Sequence, residues 1–223
     1  MKIYLATAGL EDIRWAAGVG LIDGILTTHA MLDAAGSGDG GDGHDVLSAI
    51  CRATGLPVLA SVGTVSADDI YREGRELAKL SDQIAVQIPM VEDAVGAIGR
   101  LRADGVRVVT TLVFGVPQAV LGAKAGAYAV SVAVDQLDLY GHDGADAVRD
   151  IVTVFRADGA ECDVLAALPE HAAQFARCAR AGADVIALAP AVLRSLFVHP
   201  LTDRGLDLWL RDVAIRHRAR ATA

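Results

Sequence analysis

Asp135 and Glu170 are two ionisable side chains that fall at the downstream ends of apolar, β-branched runs, Tyr128–Asp135 and Asp163–Leu168. A carboxylate held within reach of a bound molecule can act as a general acid or base. The same two residues also read as solvated rim carboxylates or as partners of a loop arginine, because charges are common at such edges. Around them the run ends carry uncharged hydrogen-bonding groups: Thr27, Thr28, Ser61, Gln87, Thr111, Ser131 and Gln136. Hydroxyls and amides of this kind can hold a carbonyl oxygen and stabilise charge developing on it. Gln87, Thr111 and Thr28 are the candidates for that role, and Asp135, Glu170 and Gln87 are the catalytic candidates.

Other residue types give weaker signals. His29, His44 and His142 all follow predicted strands, and three imidazoles can hold zinc, but they lie in unpatterned settings. His171 opens a helix, and His199 and His217 read as surface residues. The stretch Gly36–Asp45 is rich in Gly and Asp. It lacks the spacing and bidentate Glu of a calcium loop, so it reads as a flexible loop, and as a lid if it borders a mouth. Cys51, Cys162 and Cys178 form no C-x-x-C pair and read as packing residues of a reduced, cytoplasmic protein. No metal or cofactor is expected.

The elements that must position these groups are legible as an alternation. Eight short apolar runs, Ile3–Leu5, Gly24–Thr28, Pro57–Val62, Gln83–Ile88, Val106–Phe114, Tyr128–Asp135, Asp163–Leu168 and Asp184–Ala189, read as strands. Between them, Ser66–Leu80, Val91–Asp104, Val116–Ala125, Ala145–Asp158, Glu170–Ala181 and Ala191–Phe197 carry apolar residues at three- and four-residue spacing. Gly105, Gly159 and Gly182 each stand just past a predicted helix, where a left-handed cap is needed. Strand–helix repetition predicts parallel strands with right-handed crossovers, and hence an α/β fold of the (β/α)8 TIM-barrel type, one domain over residues 1–223. No Gly-rich phosphate turn follows the first strand, which disfavours an open doubly wound sheet. Asp203–Ala223 predicts an additional C-terminal helix. Its Leu206, Leu208, Trp209, Leu210 and Val213 either cap their own barrel or form an arm on a neighbouring copy.

Bulk properties exclude several classes. Hydrophobic residues make up 53% of the 223 positions and charged residues 22%, enough for a large core. A net charge of −8 argues against a nucleic-acid partner. No run of 18 or more apolar residues predicts a membrane span.

Several stretches, in order and at near-equal spacing along the whole chain, resemble the small transaldolase and fructose-6-phosphate aldolase family. They include Lys2–Thr7, Asp23–Thr28, Asp82–Pro89, Leu101–Val106, Thr111–Gln118, Ala125–Ala127, Gln136–Asp138, Val164–Ala167 and Trp209. The resemblance implies a barrel that tends to form homo-oligomeric rings. It also implies class I aldolase chemistry, in which a strand-four lysine forms an imine with a keto-sugar. At that position this sequence has Gln87. The family's strand-one Asp corresponds to Ala6, its strand-two Asn to Thr28 (or His29, with one residue inserted) and its strand-three Gln to Ser61. Its strand-six Tyr corresponds to Ala133, the Arg beside it to Gln136, and the Ser and Lys after strand seven to Leu168 and Glu170. Thr111 matches.

A glutamine amide has no nucleophilic amine. The chain's lysines are Lys2, Lys79 and Lys124, on the first strand's start and on two helices. The expectation is therefore a repurposed barrel. It would bind a small, weakly charged carbonyl-type molecule in its mouth and promote an aldol-type, cyclisation or isomerisation step through hydrogen bonds and acid–base help. The alternative is an inactive binding or scaffold relative.

Overall fold

Runs of Val, Ile and Ala favour a pleated strand buried on both faces, and such strands must close on themselves or be covered. The structure is a computed structural model that describes residues 1–36 and 43–221, with side chains described as far as Ala214. Its strands are β1 (Lys2–Ala6), β2 (Gly24–Leu26), β3 (Val58–Ser61), β4 (Ile84–Pro89), β5 (Val108–Val113), β6 (Ala129–Ala133), β7 (Asp163–Ala167) and β8 (Val185–Leu188). They pair in sequence order, all parallel, and β8 returns to β1 through Lys2↔Val185 to Leu5↔Leu188, closing the barrel. The helices are α1 (Leu10–Gly18), α2 (His29–Gly36), α3 (Gly43–Thr54), α4 (Ala67–Leu80), α5 (Ala94–Ala103), α6 (Val116–Ala125), α7 (Val134–Leu139), α8 (Gly144–Asp158), α9 (Ala172–Ala181), α10 (Pro190–Ser195) and α11 (Pro200–Ala221).

Strand alternation sorts the core into two sets. Ile84, Val86 and Ile88 of β4 face the helices in the outer cluster, while Ala85 and Gln87 face the axis. The inner set is small: Ala6, Ala85, Ala129, Ala167 and Ala187 beside Leu26, Leu59, Val109 and Leu165. At the N-terminal end of the barrel Tyr4 and Tyr128 pack against this set, and burial raises both phenols above their ordinary range, Tyr128 the more. Gly24 makes room for this floor: a Cβ there would stand 2.5 Å from the Tyr4 ring.

Helix ends follow the sequence. Ser66 caps α4 through the Asp69 amide, and Asp143 caps α8 through Asp146 N at 3.0 Å. Gly105, Gly159 and Gly182 all take positive φ just past α5, α8 and α9.

Four expectations are corrected. The sixth strand ends at Ala133, so Asp135 and Gln136 lie in α7 rather than at a strand end. Alternating Val130, Val132 and Val134 read as one strand. The chain turns instead, with Asp138 accepting Gly144 N at 2.7 Å to fold α7 back on α8. The stretch Gly36–Asp45 is not one loop: Gly36 ends α2, Gly43–Asp45 open α3, and residues 37–42 lie outside the described residues. His44 is therefore helical. Finally, α11 does not cap its barrel. Leu201, Leu206, Leu208, Trp209 and Leu210 each keep more than half of their surface exposed, which removes the capping reading for the described side chains. Among the described residues no helix is long and apolar enough to cross a membrane.

The Tyr4–Gly24 contact generates a test. Gly24→Val should destabilise the fold by about 1–3 kcal/mol through overpacking, read as a lower urea midpoint. Adding Tyr4→Leu should recover part of that loss. Additive losses in the double variant would show that the two positions do not share one space.

Candidate functional site

Parallel-strand register sets the layer just below the barrel mouth. Ser61 on β3 lies beside Gln87 on β4. Gln87 is 3% exposed, and its Nε2 donates to Thr27 O at 2.8 Å and to Ser61 Oγ at 3.2 Å. That amide therefore fastens the end of β2 to β3 and β4. Among the described residues Gln87 Oε1 accepts no hydrogen bond. Two strands on, Ser131 faces the axis from β6. It is 1% exposed, and its hydroxyl has no partner among the described residues. Thr111, half-buried on β5, shares the Val109 face and thus the interior.

The two threonines that follow β2 behave differently. Thr27 is fully buried, but its hydroxyl donates to Leu59 O at 2.7 Å, so it offers the site its carbonyl rather than its side chain. Thr28 Oγ accepts Met31 N at 3.3 Å and opens α2. Among the expected polar groups, Gln87, Ser61 and the Thr27 backbone are brought into contact. Thr27 as a side-chain ligand is a correction, because the β2–β3 backbone already uses its hydroxyl.

The rim above β6 and β7 holds the carboxylates. Asp135 lies in the first turn of α7 and Glu170 in the connection from β7 to α9. Burial is the first cause raising the Asp135 carboxyl above its ordinary range, and the charges of Glu170 and Asp138 raise it further, against the pull of its own helix's amides. Neither Asp135 nor Glu170 has an ion-pair partner among the described residues. Asp138, by contrast, is tied on both oxygens, to Gly144 N and to the Gln174 amide. Gln174 is 3% exposed, and its Oε1 also accepts Glu170 N at 2.5 Å. One buried amide therefore holds together the two segments that carry Asp135 and Glu170. Sequence reading missed Gln174, although it lies four residues before Cys178 on the buried stripe of α9, where a polar residue must have partners.

Backbone strain marks the same end of the barrel. Leu112 and Leu168 adopt φ of 55° and 57°, near the tops of β5 and β7. For a side chain with a Cβ this costs about 1–2 kcal/mol, and such strain clusters at functional sites. The β5–β6 register shifts between Thr110 and Val113. Beside it a cleft of about 320 Å3 is lined by Phe114, Gln136, Leu137, Tyr140 and His142.

The histidines do not converge. His142 lines that cleft, while His44 lines another with Asp69, Arg72 and Glu73. His171 caps α9, with Nδ1 accepting Gln174 N. The lysines lie outside the barrel interior. Lys2 pairs with Asp163 at 3.0 Å at the N-terminal end, Lys79 with Glu76 on α4, and Lys124 is exposed on α6.

Comparison with known proteins agrees with the strand motifs. A family model described as Transaldolase/Fructose-6-phosphate aldolase matches residues 41–221. A probable transaldolase of Methanococcus maripaludis (strain C7) is 37% identical over 212 residues, covering 95% of this chain and 97% of the relative. Probable transaldolases of Hyphomonas neptunium and Herpetosiphon aurantiacus are each 38% identical over 212 residues, covering 95% of this chain and 96% and 94% of those relatives. On these matches, carried by a closed eight-stranded parallel barrel, the chain belongs to the transaldolase/fructose-6-phosphate aldolase family.

Proposed function

We propose that this family member works without an imine. Its barrel takes a small carbonyl-type molecule into the mouth and promotes an aldol-type, cyclisation or isomerisation step by hydrogen bonding and general acid–base chemistry. The observation that carries this reading is the placement of the lysines: all three lie on the barrel's N-terminal end or outer helices, and the axis-facing position on β4 is a glutamine. An amide nitrogen conjugated to its carbonyl does not attack a ketone. In this reading Thr111 and Ser131 hold the carbonyl oxygen, Gln87 Oε1 accepts from a donor beside it, and Ser61, Thr28 and Gln136 complete the binding set. Asp135 or Glu170 moves the proton. We propose a cytoplasmic homo-oligomer, with the exposed apolar side chains of α11 packed on a neighbouring copy.

A second reading, an inactive binding or scaffold relative, is favoured by one contact: Gln87 Nε2 is already engaged by Thr27 and Ser61. The two readings part on whether a small carbonyl compound enters the mouth at all.

Two outcomes are expected. Borohydride treatment with dihydroxyacetone or fructose 6-phosphate should leave the intact mass unchanged, and a trapped adduct would end the imine-free reading. The second concerns Asp135. Its folded pKa is raised, so the native state binds its proton more tightly than the unfolded chain. Stability is then lost as pH rises from the ordinary carboxylate range through the folded value. Asp135→Asn should therefore be more stable than the parent at pH 7, with the gain shrinking as pH falls from the folded value to the ordinary carboxylate range and gone below it. A variant less stable than the parent at pH 7 would show that Asp135 is held by its surroundings rather than strained for function.

A further inference from the structure

A barrel mouth is ringed by helix N-termini, each equivalent to roughly half a positive charge, which by itself favours an anion. In this chain that bias is reversed. No strand-to-helix connection among the described residues contains a Lys or an Arg. Glu92 and Asp93 lie between β4 and α5, and Glu170 lies between β7 and α9. Asp135 and Asp138 lie on α7, where the chain leaves β6 directly for a helix. Full charges outweigh the half-charges of the helix ends. Arg177, the cation that reaches this corner from α9, is ion-paired with Asp143. The interior layer beneath adds two acceptors without partners, Gln87 Oε1 and Ser131 Oγ, on residues 3% and 1% exposed.

We infer that the molecule taken by the mouth is a cation: a small carbonyl compound bearing a protonated amine, which lies between Asp135 and Glu170 while its remaining donors meet Gln87 Oε1 and Ser131 Oγ. This inference rests on the reading of the mouth as a carbonyl-binding site. It makes a phosphorylated sugar the wrong class of ligand, because a dianion would face Glu170 and Asp135 with no cation to offset them. The chain's net charge of −8 steers cations toward the mouth in the same sense.

The test uses three probes of similar carbon skeleton on the intact chain: aminoacetone, hydroxyacetone and dihydroxyacetone phosphate. Affinities are measured by titration calorimetry at pH 7 and constant salt, for the parent, for Asp135→Asn/Glu170→Gln and for Gln87→Leu, with circular dichroism as the folding check. Aminoacetone should bind about tenfold more tightly than hydroxyacetone, as expected of one screened charge contact near a surface, and dihydroxyacetone phosphate should bind worst. The carboxylate variant should bring aminoacetone to the level at which that variant binds hydroxyacetone. If aminoacetone and hydroxyacetone bind alike and Gln87→Leu weakens both, the cation inference falls and the carbonyl-site reading stands. A preference for aminoacetone that survives the carboxylate variant, or tighter binding of the phosphate, also overturns the inference. If the preference depends on the carboxylates but nothing depends on Gln87, the charge selection stands and the carbonyl-site reading falls. Failure of all three probes to bind overturns both.

Discussion

The barrel's axis is its governing constraint. Eight strands closing on themselves leave an interior only wide enough for side chains to fill, so every inward position is chosen against those beside it. At the N-terminal end the choice is extreme: the Tyr4 ring occupies space that Gly24 gives up by having no Cβ, and Tyr128 packs beside it. The rest of the inward set mixes the small Ala6, Ala85, Ala129, Ala167 and Ala187 with Leu26, Leu59, Val109 and Leu165, and buried Gln87 and Ser131 add polar groups to it. The larger cluster of buried apolar residues lies between strands and helices.

A core divided in this way lets inward residues vary while the barrel persists. Gln87 fits its position because its nitrogen finds two acceptors, the Thr27 carbonyl just past β2 and the Ser61 hydroxyl on β3. A buried amide with one end satisfied is tolerable, whereas one with neither end satisfied costs about 1–3 kcal/mol. Gln174 works in the same way one layer out. Its nitrogen meets Asp138 and its oxygen meets Glu170 N, so a polar side chain on the buried face of α9 becomes the clamp between the β6 and β7 corners. The clamp holds the backbone of Glu170 and leaves its carboxylate unpaired.

The architecture was legible in the sequence because it is a matter of periodicity. All eight runs are strands, and the glycines at 105, 159 and 182 take the positive φ that their positions after a helix implied. The failures have local physical causes. Val130, Val132 and Val134 keep strand alternation past the point where the chain turns, because the signal for turning lies in Asp138 reaching Gly144, a contact between residues six apart. Periodicity also says nothing of whether a hydroxyl is already engaged, which is why Thr27 looked like a ligand. The apolar residues of α11 gave a helix but not its partner, since burial against self and against a copy leave the same pattern.

What remains at the mouth is a set of groups that the fold itself would be better without. Asp135 is a half-buried carboxyl pushed toward its neutral form, Gln87 Oε1 and Ser131 Oγ lack partners, and Leu112 and Leu168 hold backbone angles that a Cβ resists. Burial opposes the charge of Asp135, which the amides of its own helix offset in part, and the backbone of Leu112 and Leu168 is strained. A barrel kept only as a scaffold could replace them with apolar or paired residues and gain stability. They also lie at one end and within neighbouring strands rather than scattered over the surface. Groups left unsatisfied in one place are satisfied together by something that enters that place, and here their character specifies the visitor: acceptors and carboxylates with no fixed cation call for a molecule that brings donors and positive charge.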